Sequence, residues 1–290
     1  MGNIIIMYHY IRDNTNFKAF STDEFRRQVE YVMGKYRIIS INELIEKKPK
    51  DNTCVLTFDD GLKDGFTNVL PIIEELGVKG TFFIPTKILK SKLVIEAQKR
   101  HLLLAKLGTE KFVQEFNSLV DEIFQVRKEG QKNNYEDELT SNLKYVLDNM
   151  DQDVSKKILN KIFSEYFDEE EEFSKIYLNK KEIDIMLSKG MEICSHGHGH
   201  FWLGNLYFKD MVADLTKTVE VFTGIFGKHP SFLSYPFGSF NLFTKRVAKK
   251  LGFKACVTVV KGKNTDLKDP FELSRYDCID LFPRTNRYGL

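Results

Sequence analysis

Short strand-like runs and amphipathic helical segments alternate along the first ninety residues, and that alternation leaves few folds open. "NIIIMYHY" reads as a strand, and "TDEFRRQVEYVMGKY" sets Phe25, Val29, Val32 and Met33 at helical spacing behind a Thr22 cap. Then "RIISI" reads as a strand, "NELIEKK" as a short helix and "TCVLTFDD" as a buried strand. "FTNVLPIIEELG" follows as a helix closed by Gly77, and "KGTFFIPT" as another strand. Such βα repetition implies a parallel sheet covered by helices.

The pattern resumes near residue 174 with helix "KKEIDIMLSKG" and strand "MEICS". Helix "NLYFKDMVADLTKTVEVFTGIFG", strand and turn "SFLSYPFG", helix "FTKRVAKKLG" and strands "KACVTVV" and "ELSRYDCIDL" complete it. About seven βα units predict an α/β fold, a distorted (β/α)7-type barrel, and a chain of 290 residues suits one such domain with an insertion. Residues 1–89 and 174–290 are assigned to the barrel, and 90–173 to a helical insertion, because β-branched runs give way there to long polar helices. Phe112, Phe116, Leu119, Val120 and Ile123 form one expected apolar stripe, and Leu139, Leu143, Val146 and Leu147 another. "EGQKNNYEDE" between them reads as an exposed turn, and the acidic run Asp168 to Glu172 as a solvated helix end.

Composition narrows the class. With a net charge of +2 and 42% hydrophobic residues, nothing global argues for a nucleic-acid or membrane partner. No stretch approaches the roughly 20 apolar residues that span a bilayer, and the opening apolar run is too short for a signal-peptide core, so a cytoplasmic location is expected. Cys54, Cys194, Cys256 and Cys278 stand singly beside apolar runs and read as small buried hydrophobes in a reducing compartment.

In a βα barrel the functional groups gather at the C-terminal ends of the strands. His9, Asp59-Asp60, "SHGHGH" and Pro236-Phe237-Gly238 all stand at such ends. Adjacent aspartates on an extended chain face opposite ways, so one carboxylate can bind a cation while the other accepts a proton. Three histidines within "SHGHGH" are interleaved with glycine, which disfavours a helix and with it a helical H-E-x-x-H site. On a loop, two imidazoles and one carboxylate can surround a divalent ion and leave positions open for water and substrate.

"LTFDDGLKDGF", "GMEICSHGHGHFWLGNL" and "LSYPFGSFN", in that order, resemble the three principal motifs of the polysaccharide deacetylase (NodB-homology) family of carbohydrate esterases. The resemblance implies Asp59 as general base, with Asp60, His196 and His200 as metal ligands and His198 without an assigned role. Gly197 stands where the family carries Ser or Thr, losing a hydroxyl that braces the loop. The third motif lacks its usual arginine, having Ser234 there; Arg275 resembles the arginine that some branches place near the same carboxylate. The oxyanion contact is expected from the backbone N–H of Phe237, with Tyr235, Pro236 and Gly238 lining the substrate site. The C-terminal Leu-x-His is absent, and "MYHY" resembles the branch with an N-terminal Tyr-His motif, which makes His9 the expected general acid.

The resemblance thus implies hydrolysis of an N-acetyl or other short acyl group on an amino sugar, with one divalent ion, Zn²⁺ foremost and Co²⁺, Ni²⁺ or Fe²⁺ as alternatives. A cytoplasmic address points to an oligosaccharide or a lipid- or nucleotide-linked glycan precursor. The insertion could narrow the mouth or support an oligomer. Two other classes remain open: a glycan-binding pseudoenzyme that keeps its metal, and a two-His-one-carboxylate iron oxygenase.

Overall fold

The computed structural model describes residues 2–13, 19–127 and 137–281; most of the "EGQKNNYEDE" turn lies outside the described residues. In chain order the elements are β1 (Ile4–Tyr8), α1 (Thr22–Met33), β2 (Arg37–Ile38), α2 (Ile41–Lys47), β3 (Thr53–Phe58), α3 (Leu70–Glu75), β4 (Gly80–Ile84), α4 (Glu96–Asn117) and α5 (Glu138–Asn149). They continue with α6 (Gln152–Tyr166), α7 (Glu169–Ile176), α8 (Lys180–Ser188), β5 (Glu192–Ser195), α9 (Phe208–Phe226), β6 (Phe232–Ser234), α10 (Leu242–Lys250), β7 (Ala255–Val257) and β8 (Tyr276–Asp277). The chain divides into two compact units, one of residues 2–13, 19–91 and 174–281, the other of 92–127 and 137–173.

In the first unit the strands form one parallel sheet in the order β7-β6-β5-β4-β3-β1-β8, with β2 paired to the first residues of β3. After β7 the chain comes back: Leu273 bridges Val257, and β8 then pairs with β1. Residues 273–277 therefore join the two edges, and the sheet curls into a distorted α/β barrel, as the βα alternation predicts. Side chains alternate faces along every strand. Ile5, Val55, Phe83, Cys194, Phe232 and Ala255 pack together inside the curl. Leu233, Tyr235 and Cys256 point the other way, against Met211 and Leu215 of α9 and Ala248 of α10.

Several local readings shift. The cap of α1 is Ser21 rather than Thr22: its hydroxyl accepts from the Glu24 N–H while the Glu24 carboxylate accepts from the Ser21 N–H. "KACVTVV" is a strand only over β7, because the Thr258 hydroxyl accepts the Val260 N–H (3.1 Å) and turns the chain. The four cysteines are free and buried, and burial pushes the Cys256 thiol up to about 12. Among the described residues no helix is long and apolar enough to cross a membrane.

In the second unit α4, α5 and α6 bury Phe112, Phe116, Leu143, Leu147, Ile158 and Phe163. The first expected stripe stops early. α4 ends at Asn117, whose side chain exchanges two hydrogen bonds with the backbone of Val126 (2.8 and 3.0 Å) and folds the chain back, leaving Ile123 83% exposed. The acidic run opens α7, where four glutamates in the first turn complement the helix dipole.

Candidate active site

The inward-facing lines 5-7-9, 55-57-59, 194-196 and 232-234 bring His9, Asp59, His196 and Ser234 to one end of the barrel interior. Asp59 is anchored there through its backbone, whose N–H donates to the Tyr8 carbonyl (3.0 Å). Its carboxylate is gripped by Arg275, Nη1 to Oδ1 at 2.9 Å and Nη2 to Oδ2 at 2.8 Å. The Ser234 hydroxyl adds a third donor at 3.1 Å. The guanidinium, 1% exposed, spends its other N–H groups on the Thr57 and Ser234 hydroxyls and the Thr258 carbonyl. Burial alone would raise the Asp59 carboxyl, but Arg275, and then His196, hold it below the ordinary aspartate value, so it is ionised at neutral pH.

Asp60 turns away from its neighbour because its φ is +71°, and its Oδ1 lies 3.3 Å from His196 Nε2 and 3.1 Å from His200 Nε2. All three side chains are buried. Two atoms bound at about 2.0–2.1 Å to one tetrahedral ion stand ~3.3 Å apart, so this spacing fits a shared cation. His196 Nδ1 lies 2.8 Å from the Ser234 carbonyl, a contact only an N–H can make, which turns the lone pair of Nε2 toward Asp60. Asp60 is held well below the ordinary range despite its burial, chiefly by the charge of His200 and by its contacts with both imidazoles. Burial lowers His200, whereas the aspartates outweigh burial and raise His196. Asp60, His200 and Phe237 are three of the five described non-glycine residues with positive φ, so strained backbone is concentrated where these groups converge.

The missing Ser/Thr hydroxyl at Gly197 has a replacement. Gly197 takes φ +71°, and the buried carboxylate of Asp214, on α9, accepts from the N–H groups of His198 (3.0 Å) and Gly199 (2.7 Å). His198 does not join the Asp60, His196 and His200 cluster and meets the Thr86 hydroxyl through Nδ1 at 2.9 Å. Asp214 therefore fixes the loop that carries both histidines. Asp214→Ala should lower divalent-ion affinity by about 10- to 100-fold, as loss of an outer partner typically does, and a competition titration against a chelating dye measures it.

Of the third motif, Phe237 comes into the site and Tyr235 does not. Phe237 packs edge-on against His200 (4.7 Å) and flat against Trp202 (4.5 Å, 4°). In its turn the amides of Tyr235, Gly238 and Ser239 are committed to the carbonyls of Val257, Tyr235 and Pro236. Among the described residues that leaves the Phe237 N–H to meet a ligand. Tyr235 is 0% exposed, stacks on Phe240 and donates to the Phe271 carbonyl (3.2 Å). Its expected place in the substrate lining is corrected: strand alternation sends it to the helix-covered face with Leu233. Pro236 is buried, and Gly238, at φ +67°, lies under Val259 with no room for a Cβ. His9 is partly exposed directly after Tyr8, near enough for its charge to act on Asp59, Asp60 and His200.

This geometry can be set beside known proteins. Residues 46–256 match the polysaccharide deacetylase family. The chain belongs to that family. Among curated polysaccharide deacetylases it is 20% identical over 264 residues to YxkH of Bacillus subtilis (strain 168), whose name places it in the same family. That match takes in 89% of this chain but only 64% of YxkH. Solved structures share the fold. Streptococcus pyogenes deacetylase PplD in complex with acetate has a TM-score of 0.60 at 17% identity, covering 96% of this chain and 92% of PplD. IcaB from Ammonifex degensii gives 0.59 at 13%, covering 94% and 90%, and the de-N-acetylase from Aggregatibacter actinomycetemcomitans 0.59 at 14%, covering 97% of each.

Sequence reasoning passed over Thr57, Thr258 and Asp214, and it counted Ser234 as a loss rather than a partner. For Thr57 and Ser234 the signal was available: each is the polar residue on an inward line, one strand position before or beside a charge.

Proposed function

We propose that this polysaccharide deacetylase family member is a divalent-metal-dependent amide hydrolase. It removes an N-acetyl, or another short acyl, group from an amino sugar in an oligosaccharide or a lipid- or nucleotide-linked glycan precursor. The observation that carries the reading is the Asp59 carboxylate, kept ionised by Arg275 and set 3.9 Å from His196 Nε2 at the edge of the ligand cluster.

Asp60, His196 and His200 would hold the ion, and two nitrogens with one carboxylate favour Zn²⁺, with Co²⁺, Ni²⁺ and Fe²⁺ as the other candidates. When bound, such an ion supplies Lewis acidity and eases the ionisation of water. Asp59 accepts the proton from the water that attacks the acyl carbon. The Phe237 N–H donates to the acyl oxygen as negative charge grows on it, which favours the transition state over the planar amide. His9, following the N-terminal Tyr-His pattern, gives its proton to the sugar nitrogen as the C–N bond breaks. A carboxylic acid and a free amino sugar leave. Arg275 supplies the positive charge that Ser234 cannot, which removes one of the two features that favour a non-catalytic binder, the other being the absent C-terminal Leu-x-His. The parallel βα sheet likewise differs from the double-stranded β-helix of the iron oxygenases.

Incubating metal-loaded protein with acetylated and formylated amino sugars, free and in oligosaccharides, should release acid from at least one of them. Chelation should stop the release and added ion restore it. Acid release from none of the panel, or release that a chelator leaves unchanged, would overturn the assignment.

A further inference from the structure

Among the described residues of the barrel unit nine large apolar side chains are exposed, and six of them are Tyr207, Phe208, Leu242, Phe243, Val259 and Val260. The other three, Tyr31, Met33 and Ile185, lie on α1 and α8. The six follow β5, β6 and β7, three neighbouring strands, and stand in the connections at the C-terminal rim where the candidate active site opens. They are joined in space. Phe208 meets Phe243 edge-on at 6.0 Å, and the Asn241 side chain donates to the Gly204 carbonyl at 2.9 Å, tying the first two connections together. The Val259 side chain covers Gly238, beside Phe237, and links the third.

Each apolar pair is followed by an exposed cation: Lys209, next to the exposed Asp210, after the first, Arg246 after the second and Lys261 after the third. Lys261 pairs with Asp280, but Lys209 and Arg246 make no ion pair among the described residues. Aromatic and aliphatic tips backed by cations match the interface of an anionic bilayer, where apolar groups enter the acyl boundary and basic groups meet the headgroups. A sugar chain would want planar rings among hydrogen-bonding groups, and Leu242, Val259 and Val260 offer neither. We infer that this rim docks the protein on an anionic lipid surface, with the mouth of the barrel facing the headgroups.

The test is sedimentation of the full chain with phosphatidylcholine vesicles with and without phosphatidylglycerol. The protein should pellet with the anionic vesicles and less with the neutral ones. Phe208→Ser combined with Leu242→Ser should weaken vesicle partitioning by about tenfold or more, while acid release from a short soluble substrate is unchanged. Lys209→Glu combined with Arg246→Glu removes two cations without touching the apolar tips; it should weaken binding to anionic vesicles alone, by roughly fivefold or more per cation. Circular dichroism confirms that both variants are folded. Absence from both pellets overturns the inference. So does wild-type partitioning by both variants, a wild-type dimer that the serine variant dissolves, or loss of oligosaccharide binding in that variant. Vesicle binding is read without catalysis, so it can fail while the hydrolase reading stands.

Discussion

Asp59→Asn lowers acyl release by about 10²- to 10⁴-fold and leaves divalent-ion binding at the wild-type level. The amide has almost the shape of the carboxylate but cannot take a proton from water, and the ligand cluster of Asp60, His196 and His200 does not include position 59. Turnover of the most active sugar amide, measured beside ion stoichiometry by elemental analysis, checks both halves of the expectation. A glycan binder that merely retains its ligands gives a different outcome, in which neither property moves.

Arg275→Met acts through the same carboxylate but also on the fold. Asp59 and Arg275 are both almost fully buried, and removing one member of such a pair typically costs about 3–5 kcal/mol because the other is left uncompensated. The pH dependence follows from the direction of the shift. In the wild type the folded pKa of Asp59 lies below its unfolded value, so the contribution to stability is complete above the ordinary aspartate range and is lost as pH falls through the folded pKa. Without Arg275 burial dominates and the folded pKa rises, so ionised Asp59 becomes a cost above the ordinary range. The stability gap between wild type and variant is therefore widest near neutrality and narrows in acid, as denaturant titrations at several pH values would show. The acid limb of kcat/KM should move to higher pH in the variant.

Much of this site could be read before any coordinates, because strand ends are marked by short apolar runs and because metal-ligating residue types are few. Their chemistry and their place after a strand singled out the Asp59-Asp60 pair and the three histidines; choosing Asp60, His196 and His200 among them needed the family resemblance. Arg275 needed the family resemblance, since 216 residues separate it from Asp59 and no local pattern joins them. Asp214 could not be foreseen: its partners are two backbone N–H groups, which leave no trace in side-chain spacing. Tyr235 was misplaced for a simpler reason. Counting in twos from Phe232 sends it outward, but a motif quoted as a unit hides that alternation. Ile123 failed where helical periodicity was extended beyond the point at which Asn117 ends the helix.

Residues 273–277 seal the sheet edges, and Arg275 rides on that segment. During synthesis the ribosome must therefore deliver this stretch before the buried Asp59 carboxylate acquires its counter-charge. A chain that stops short of it carries Asp60, His196 and His200 but leaves Asp59 without that partner. On the proposed mechanism, readiness of the base and completion of the barrel are one event.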